Sequence, residues 1–318
     1  MKTTSASTSK ALLKCARADQ LGGANAIYTV IVNDDLDLCE EAKALGYRIV
    51  HEAMLNPDIG LHLAEEHQRF PEAPWSIPSL ERIEAGRKRD RRKYKIADLI
   101  LVPSDFVYRS VIALGADPAK VEIVPYGVDE SWLDAEPHRV PGRVLFVGTV
   151  GLLKGSHYLA AAARILAERK VLCDIRAVGP VTKHQRRDPL FEGPEYIGQV
   201  PRSSVQSEFL AADVFVLPTL SDGFALSHLE ALACGVPVIT TPNCGSVVRD
   251  GVDGFIVPIR NPVALANAIE KIVTNPDLRS RMSLSARARA HEHTWERYGE
   301  RLIRAFSKLE PFGPEQHR

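Results

Sequence analysis

Apolar residues fall in short, largely unbroken runs at 26–32, 47–50, 97–104, 144–149, 213–217 and 236–241. Runs of this length without alternation predict strands buried on both faces, the habit of parallel sheets. Between them the spacing turns helical. The stretches 35–45, 58–70 and 76–96 predict helices, an alanine-rich stretch runs to about residue 170, and Trp295, Tyr298, Leu302 and Phe306 share one face of a last helix over 294–308. Strand and helix alternate on both sides of a polar, proline-bearing segment, DAEPHRVPG at 134–142. The pattern is α/β, with a first domain over 1–135, a second over 143–292 and a closing helix within 293–318.

The most informative stretch is PTLSDGFALSHLEALACGVPVITTPNCG at 218–245. Pro218 stops a strand, Ser221, Asp222 and Gly223 supply a turn, and a helix follows that ends at Cys234 and Gly235 before the next strand. Leu226, Leu229, Leu232 and Ala233 form the buried stripe of that helix, which leaves Glu230 as a carboxylate in apolar surroundings. No arginine stands three or four residues away to pair it. An unpaired acid near a core costs several kcal/mol, so a donor from outside, such as a pair of ligand hydroxyls, is expected. The turn also presents free backbone N–H groups and a positive helix end, a geometry suited to phosphate. Upstream, Gly148, Lys154 and Gly155 lie between a strand and a helix, a second loop of the same kind.

From Asp222 through Ile239 the chain resembles the E-x7-E motif of retaining glycosyltransferases of family four, and EALACGVPVI is close to that family's EAMACGxPVI. The resemblance runs over roughly 94–300 and is densest from 143 to 258. It implies a GT-B fold of two Rossmann-like domains. It further implies that Glu230 holds the ribose hydroxyls of a nucleotide sugar, that Asp222 lies by the donor sugar, and that Gly148, Lys154, Gly223, Phe224, Ala225 and Leu226 meet the donor. Gly198 and Val200, in YIGQVP, resemble the stretch beside the nucleotide base. The chain also departs from the family pattern. Asp222 replaces the usual first Glu and reaches about 1.3 to 1.5 Å less far; Thr149 replaces an arginine on the diphosphate; Ser246 and Arg249 replace a glycine and an acid. VEIVPYGVD at 121–129 resembles the family's hinge, with Tyr126 where Asn is usual.

The amino-terminal elements are fewer than the family's. Before residue 26 there is one short helix pattern at 12–18, and Gly22-Gly23 has no strand ahead of it, so the first domain is expected to be incomplete, with an exposed sheet edge. There His51, beside Glu52 after the strand 47–50, is the candidate catalytic group, with a structural His-Glu pair as the alternative. His62 and His67 share a helix with Glu65 and Glu66. Their five-residue spacing does not suit a metal pair, and both histidines are expected in solvent. No metal and no resident cofactor are expected, only a UDP- or GDP-linked sugar as donor substrate.

Composition narrows the partners. Forty Lys and Arg balance forty Asp and Glu in 318 residues, which argues against nucleic acid. Five cysteines without a C-x-x-C pair suggest a reduced compartment. With no signal-like apolar core in 1–10 and no 18-residue apolar run, a cytoplasmic protein is expected. RKRDRRKYK, from Arg87 to Lys95, offers a contact to an anionic membrane at its inner face, or a merely solvated helix. The expected function is transfer of a hexose-type sugar to a hydroxyl acceptor in glycan, lipid or polysaccharide synthesis. A nucleotide-sugar-binding homologue without turnover and a sugar-nucleotide epimerase are the rivals.

Overall fold

The computed structural model describes residues 26–30, 35–73 and 77–309. The expectations for 1–25, including the helix pattern at 12–18, the Gly22-Gly23 pair and Cys15, lie outside them.

The chain divides into two compact units. One comprises the residues up to Leu61, Pro78–Val124 and those from Gly299; the other comprises His62–Ile77 and Pro125–Tyr298. The second unit thus starts at Pro125 rather than in the 134–142 segment. That segment is fastened to it: the half-buried Arg139 guanidinium donates to the carbonyls of Ala212, Cys234 and Gly235, and Val140 N–H donates to Ala211 O at 2.9 Å.

In the first unit the strands β1 (Ala26–Val30), β2 (Arg48–Glu52), β3 (Leu99–Val102) and β4 (Val121–Ile123) form one parallel sheet in sequence order. The helices are α1 (Leu36–Ala44), the first turn of α2 (Ile59–Arg69), α3 (Leu80–Ile96) and α4 (Asp105–Ala113). Ser79 caps α3 and Ser104 caps α4, each accepting from the N–H three residues on. β3 is buried at all four positions, as a strand covered on both faces must be.

The second unit holds six parallel strands: β5 (Arg143–Val147), β6 (Asp174–Val178), β7 (Glu195–Gly198), β8 (Val214–Val216), β9 (Val238–Thr240) and β10 (Gly254–Ile256). Helices α5 (Ser156–Glu168), α6 (Arg202–Ala211), α7 (Leu226–Ala233), α8 (Pro262–Val273) and α9 (Pro276–His291) connect or follow them. The strand order is β10-β9-β8-β5-β6-β7. The chain winds one way from β5 to β7, then returns to the other side of β5 with β8. This is the doubly wound order, and β5 and β8 flank its switch point. Phe146, Phe209, Phe215 and Leu159 are fully buried between sheet and helices. Each contributes about 1.5–3 kcal/mol by leaving water.

The closing helix, α10 (Trp295–Phe306), begins in the second unit and belongs to the first from Gly299 onward. Within the second unit Trp295 and Tyr298 meet Tyr126 at ring-centroid distances of 6.4 and 5.8 Å, and a Cβ on Gly127 would lie 2.4 Å from the Trp295 nitrogen. The glycine of the YGVD turn is therefore required where the helix begins.

Candidate donor site

Ligand sites in open α/β sheets lie outside the carboxyl ends of the strands at the switch point. Two loops emerge there, 148–155 after β5 and 217–225 after β8, and hydrogen bonds join them. Leu220 N–H and the Thr219 hydroxyl both donate to Leu153 O, at 2.8 and 2.9 Å. The second loop is tied in turn to 241–246. Asp222 N–H donates to Asn243 O, Gly245 N–H to Asp222 O and Ala225 N–H to Gly245 O, at 3.0, 2.7 and 3.1 Å. Gly155 permits the close approach. It has φ +68°, and a Cβ there would lie 1.9 Å from Pro218 O.

This scaffold brings Lys154 and Asp222, 68 residues apart, into an ion pair between Nζ and Oδ2. Gly223, Phe224 and Ala225 lead from Asp222 into α7, whose first turn has no side-chain cap. Its orphan N–H groups supply positive potential beside Lys154. Leu226 in that turn is exposed, and Phe224 is held by an edge-on contact with Tyr126 at 5.3 Å. Gly148 ends β5, and Thr149 beside it is exposed. Near the base-side stretch, Gly198 has φ +92° and its carbonyl accepts from Gly179 N–H at 2.9 Å. Val200 packs at the edge of the core.

Glu230 is buried, with 6% of its surface exposed. The expectation that its partner must come from outside is corrected: Arg202, at the start of α6, reaches the carboxylate with Nη2. The guanidinium also lies over the Trp132 ring, 5.1 Å from its centroid. No helical spacing joins residues 202 and 230, so only the fold reveals the pair. The arginine side chain stays 69% exposed, so the partner of Glu230 is itself largely in water.

His228 lies one turn from the mouth of the site, fully buried. Burial and then the Lys154 charge push its pKa down to about 3, so the imidazole is neutral. Its Nδ1 is 2.8 Å from the Ser246 hydroxyl, which explains a serine where the resemblance leads one to expect glycine. Cys244 Sγ is 3.8 Å from the same ring, and burial holds the thiol protonated. Arg249, standing for an acid, makes a bidentate pair with buried Asp253 at 2.7 and 2.8 Å, and Ser285 supports that carboxylate.

His51 does not suit the role expected of it. The residue is completely buried in the first unit, its Nδ1 2.9 Å from the Thr29 hydroxyl, and burial followed by the Lys93 charge pushes its pKa down to about 3. A neutral, enclosed ring meets no substrate. Beneath it Lys93 and Asp35 form a buried ion pair. The helix bearing His62 and His67 is also less solvated than expected: both are half-buried, and Glu66 between them is fully enclosed. Among the described residues no three His, Cys, Asp or Glu side chains gather as a metal site, no cysteine is paired, and no helix is long and apolar enough to cross a membrane.

Two parallel sheets, the second doubly wound with this site at its switch point, are the GT-B class of fold. Residues 141–275 match the family Glycosyl transferases group 1. D-inositol 3-phosphate glycosyltransferase of Kribbella flavida is 30% identical over 238 residues, 66% of this chain and 56% of that protein. The Frankia alni protein of the same name is 27% identical over 263 residues, 74% of this chain and 62% of its own. The chain thus spans less than two thirds of the length of these curated relatives. Among solved structures, sucrose-phosphate synthase from Thermosynechococcus elongatus aligns with a TM-score of 0.69 at 20% identity, over 94% of this chain and 77% of that one. Anabaena HepE in complex with UDP and glucose aligns with a TM-score of 0.67 at 15% identity, over 95% and 81%. At these identities the structural likeness concerns the fold.

Proposed function

We propose that this chain is a retaining glycosyltransferase that moves a hexose-type sugar from a UDP- or GDP-linked donor to a hydroxyl acceptor. One observation carries the reading: the switch point of the second sheet sets Lys154, Asp222 and the uncapped start of α7 together, with Glu230 four residues into that helix. In this reading the donor diphosphate displaces Asp222 from Lys154, and Lys154 with the α7 N–H groups stabilises the charge that grows on the leaving diphosphate. Glu230 accepts from the ribose hydroxyls. Asp222, freed from the lysine, faces the sugar, and the base lies by Gly198 and Val200. Contact of the α3 cations with an anionic membrane, from a cytoplasmic position, belongs to the same reading.

Calorimetric titration with UDP, GDP and ADP, beside Glu230→Ala, tests the donor site. One nucleotide is expected to bind and to lose most of its affinity in the variant; binding of none overturns the proposal. Incubation of the preferred nucleotide sugar with sugar and lipid acceptors, read by NMR of the product anomer, then tests transfer and retention. A second reading, donor binding without turnover, draws on exposed Thr149 in place of an arginine and on the Lys154–Asp222 pair that ties up both groups. Donor binding with no product from any acceptor would favour it.

A further inference from the structure

On the first unit, lined by none of the residues assigned to the donor, α3 borders an open recess of about 760 Å³. Lys88, Arg89, Arg91, Arg92 and Lys95 border it, and among the described residues that line it the one carboxylate is Asp37. Positions 88, 91, 92 and 95 are neighbours on one helix face, where like charges three and four apart cost a few tenths of a kcal/mol each. A helix needing only a solvated face gains nothing from that arrangement. The unit's other cations are largely neutralised: Lys43 and Arg48 by Asp98, and Arg87 by Asp58. At the recess Arg92 has Glu40 and Arg91 reaches Leu114 O at 3.3 Å, whereas Lys88 and Lys95 have no partner among the described residues.

The opposite wall adds a second feature. Leu36 and Asp37, which line the recess, open α1, and among the described residues no side chain caps that helix. The residue placed to do so, Asp35, is instead engaged by buried Lys93. Among the described residues, the first N–H groups of α1 therefore lack the Asp35 carboxylate that would ordinarily satisfy them, on the recess that Lys88 and Lys95 also line.

We propose that this recess binds a phosphate-bearing group, either the headgroup of an anionic lipid or a soluble phosphorylated molecule. Lys88 and Lys95 supply the charge and the start of α1 supplies backbone donors. The proposal does not rest on the donor site and stands or falls separately from it.

The test uses the full chain, a Lys88→Gln/Lys95→Gln variant and, as the control for the donor loop, Lys154→Gln. Both recess lysines are exposed, so the fold tolerates their replacement. Pyrophosphate binding is measured by calorimetry, and co-sedimentation is measured with phosphatidylglycerol and with phosphatidylcholine vesicles. The expected result is a pyrophosphate or phosphatidylglycerol affinity that falls about tenfold or more in the double lysine variant and with added salt, while Lys154→Gln retains it. Dependence seen only with vesicles identifies a lipid headgroup; dependence seen with pyrophosphate but not with vesicles identifies a soluble phosphate. Equal binding of both probes by the wild type and the double variant, or pyrophosphate binding lost only in Lys154→Gln, overturns the proposal.

Discussion

Two buried glutamates of the second unit, Glu66 and Glu230, have opposite surroundings. Glu66 accepts from three groups at once, Tyr158 at 2.5 Å, Arg260 Nε at 2.7 Å and, by its Nε2, His157 at 2.9 Å, and none of its surface is exposed. Burial alone would push its pKa up, but those hydrogen bonds outweigh it and hold the carboxyl at about 2. Glu230 has one arginine, and that arginine lies mostly in water. A carboxylate with every partner inside the fold belongs to the scaffold. One whose partner is an exposed, rotatable side chain can exchange it for a ligand, and a donor site needs that exchange.

The contrast breaks first at Glu66. Glu66→Ala leaves His157 and Tyr158 without their acceptor and Arg260 with Glu65 alone, and is expected to cost about 3–5 kcal/mol in denaturant unfolding. A loss below about 1 kcal/mol would make Glu66 no different from a surface acid. Its charge also sets a pH dependence. The folded pKa, about 2, lies below its ordinary 4.5, so this stabilisation is complete above pH 4.5 and is lost as pH falls from 4.5 toward 2. Acid unfolding of Glu66→Gln should be flatter over that window.

Next in size is Lys154→Ala, for which turnover with a nucleotide sugar should fall roughly 10²–10³-fold with stability nearly unchanged, as when a fixed donor is removed from a growing negative charge. An unaltered kcat would detach the lysine from the leaving group. Glu230→Ala should weaken the preferred nucleoside diphosphate by about 3 kcal/mol, roughly a hundredfold in Kd, through two lost hydrogen bonds to a charged acceptor. Thermal unfolding of that variant should stay within about 1 kcal/mol of wild type, the reverse of Glu66→Ala. Smallest is Arg202→Ala: without the competing guanidinium, nucleotide should bind about two- to fivefold tighter, and weaker binding would instead make Arg202 part of the site.

Much of this was legible in sequence because parallel strands declare themselves as short apolar runs and the site loops as glycine turns. Every predicted strand of the described residues formed within a few positions, and the 222–230 spacing placed its two acids around the start of a real helix. The misreadings share a physical cause. Arg202 with Glu230, Glu66 with His157 and Arg260, and Arg139 with the carbonyls after α6 and α7 join residues 28 to 194 positions apart. No local period encodes such pairs. His51 was misjudged for a related reason: a histidine at a strand end looks the same whether the strand opens on solvent or, as here, on Thr29 and a buried ion pair.

The return of the chain to β5 also bears on how such a molecule tolerates change. Val144 and Leu145 lie beside Val214 and Phe215, so the chain between leaves the sheet centre and comes back to it. The turn at Leu172, on that excursion and 93% exposed, is therefore a place where added residues should leave Lys154 and Asp222 in register. Doubling a loop there costs only about 0.6 kcal/mol in closure entropy. Length variation and peptide-tag insertion are thus steered toward the rim of the sheet, while the loops that carry Lys154 and Asp222 stay at a fixed separation.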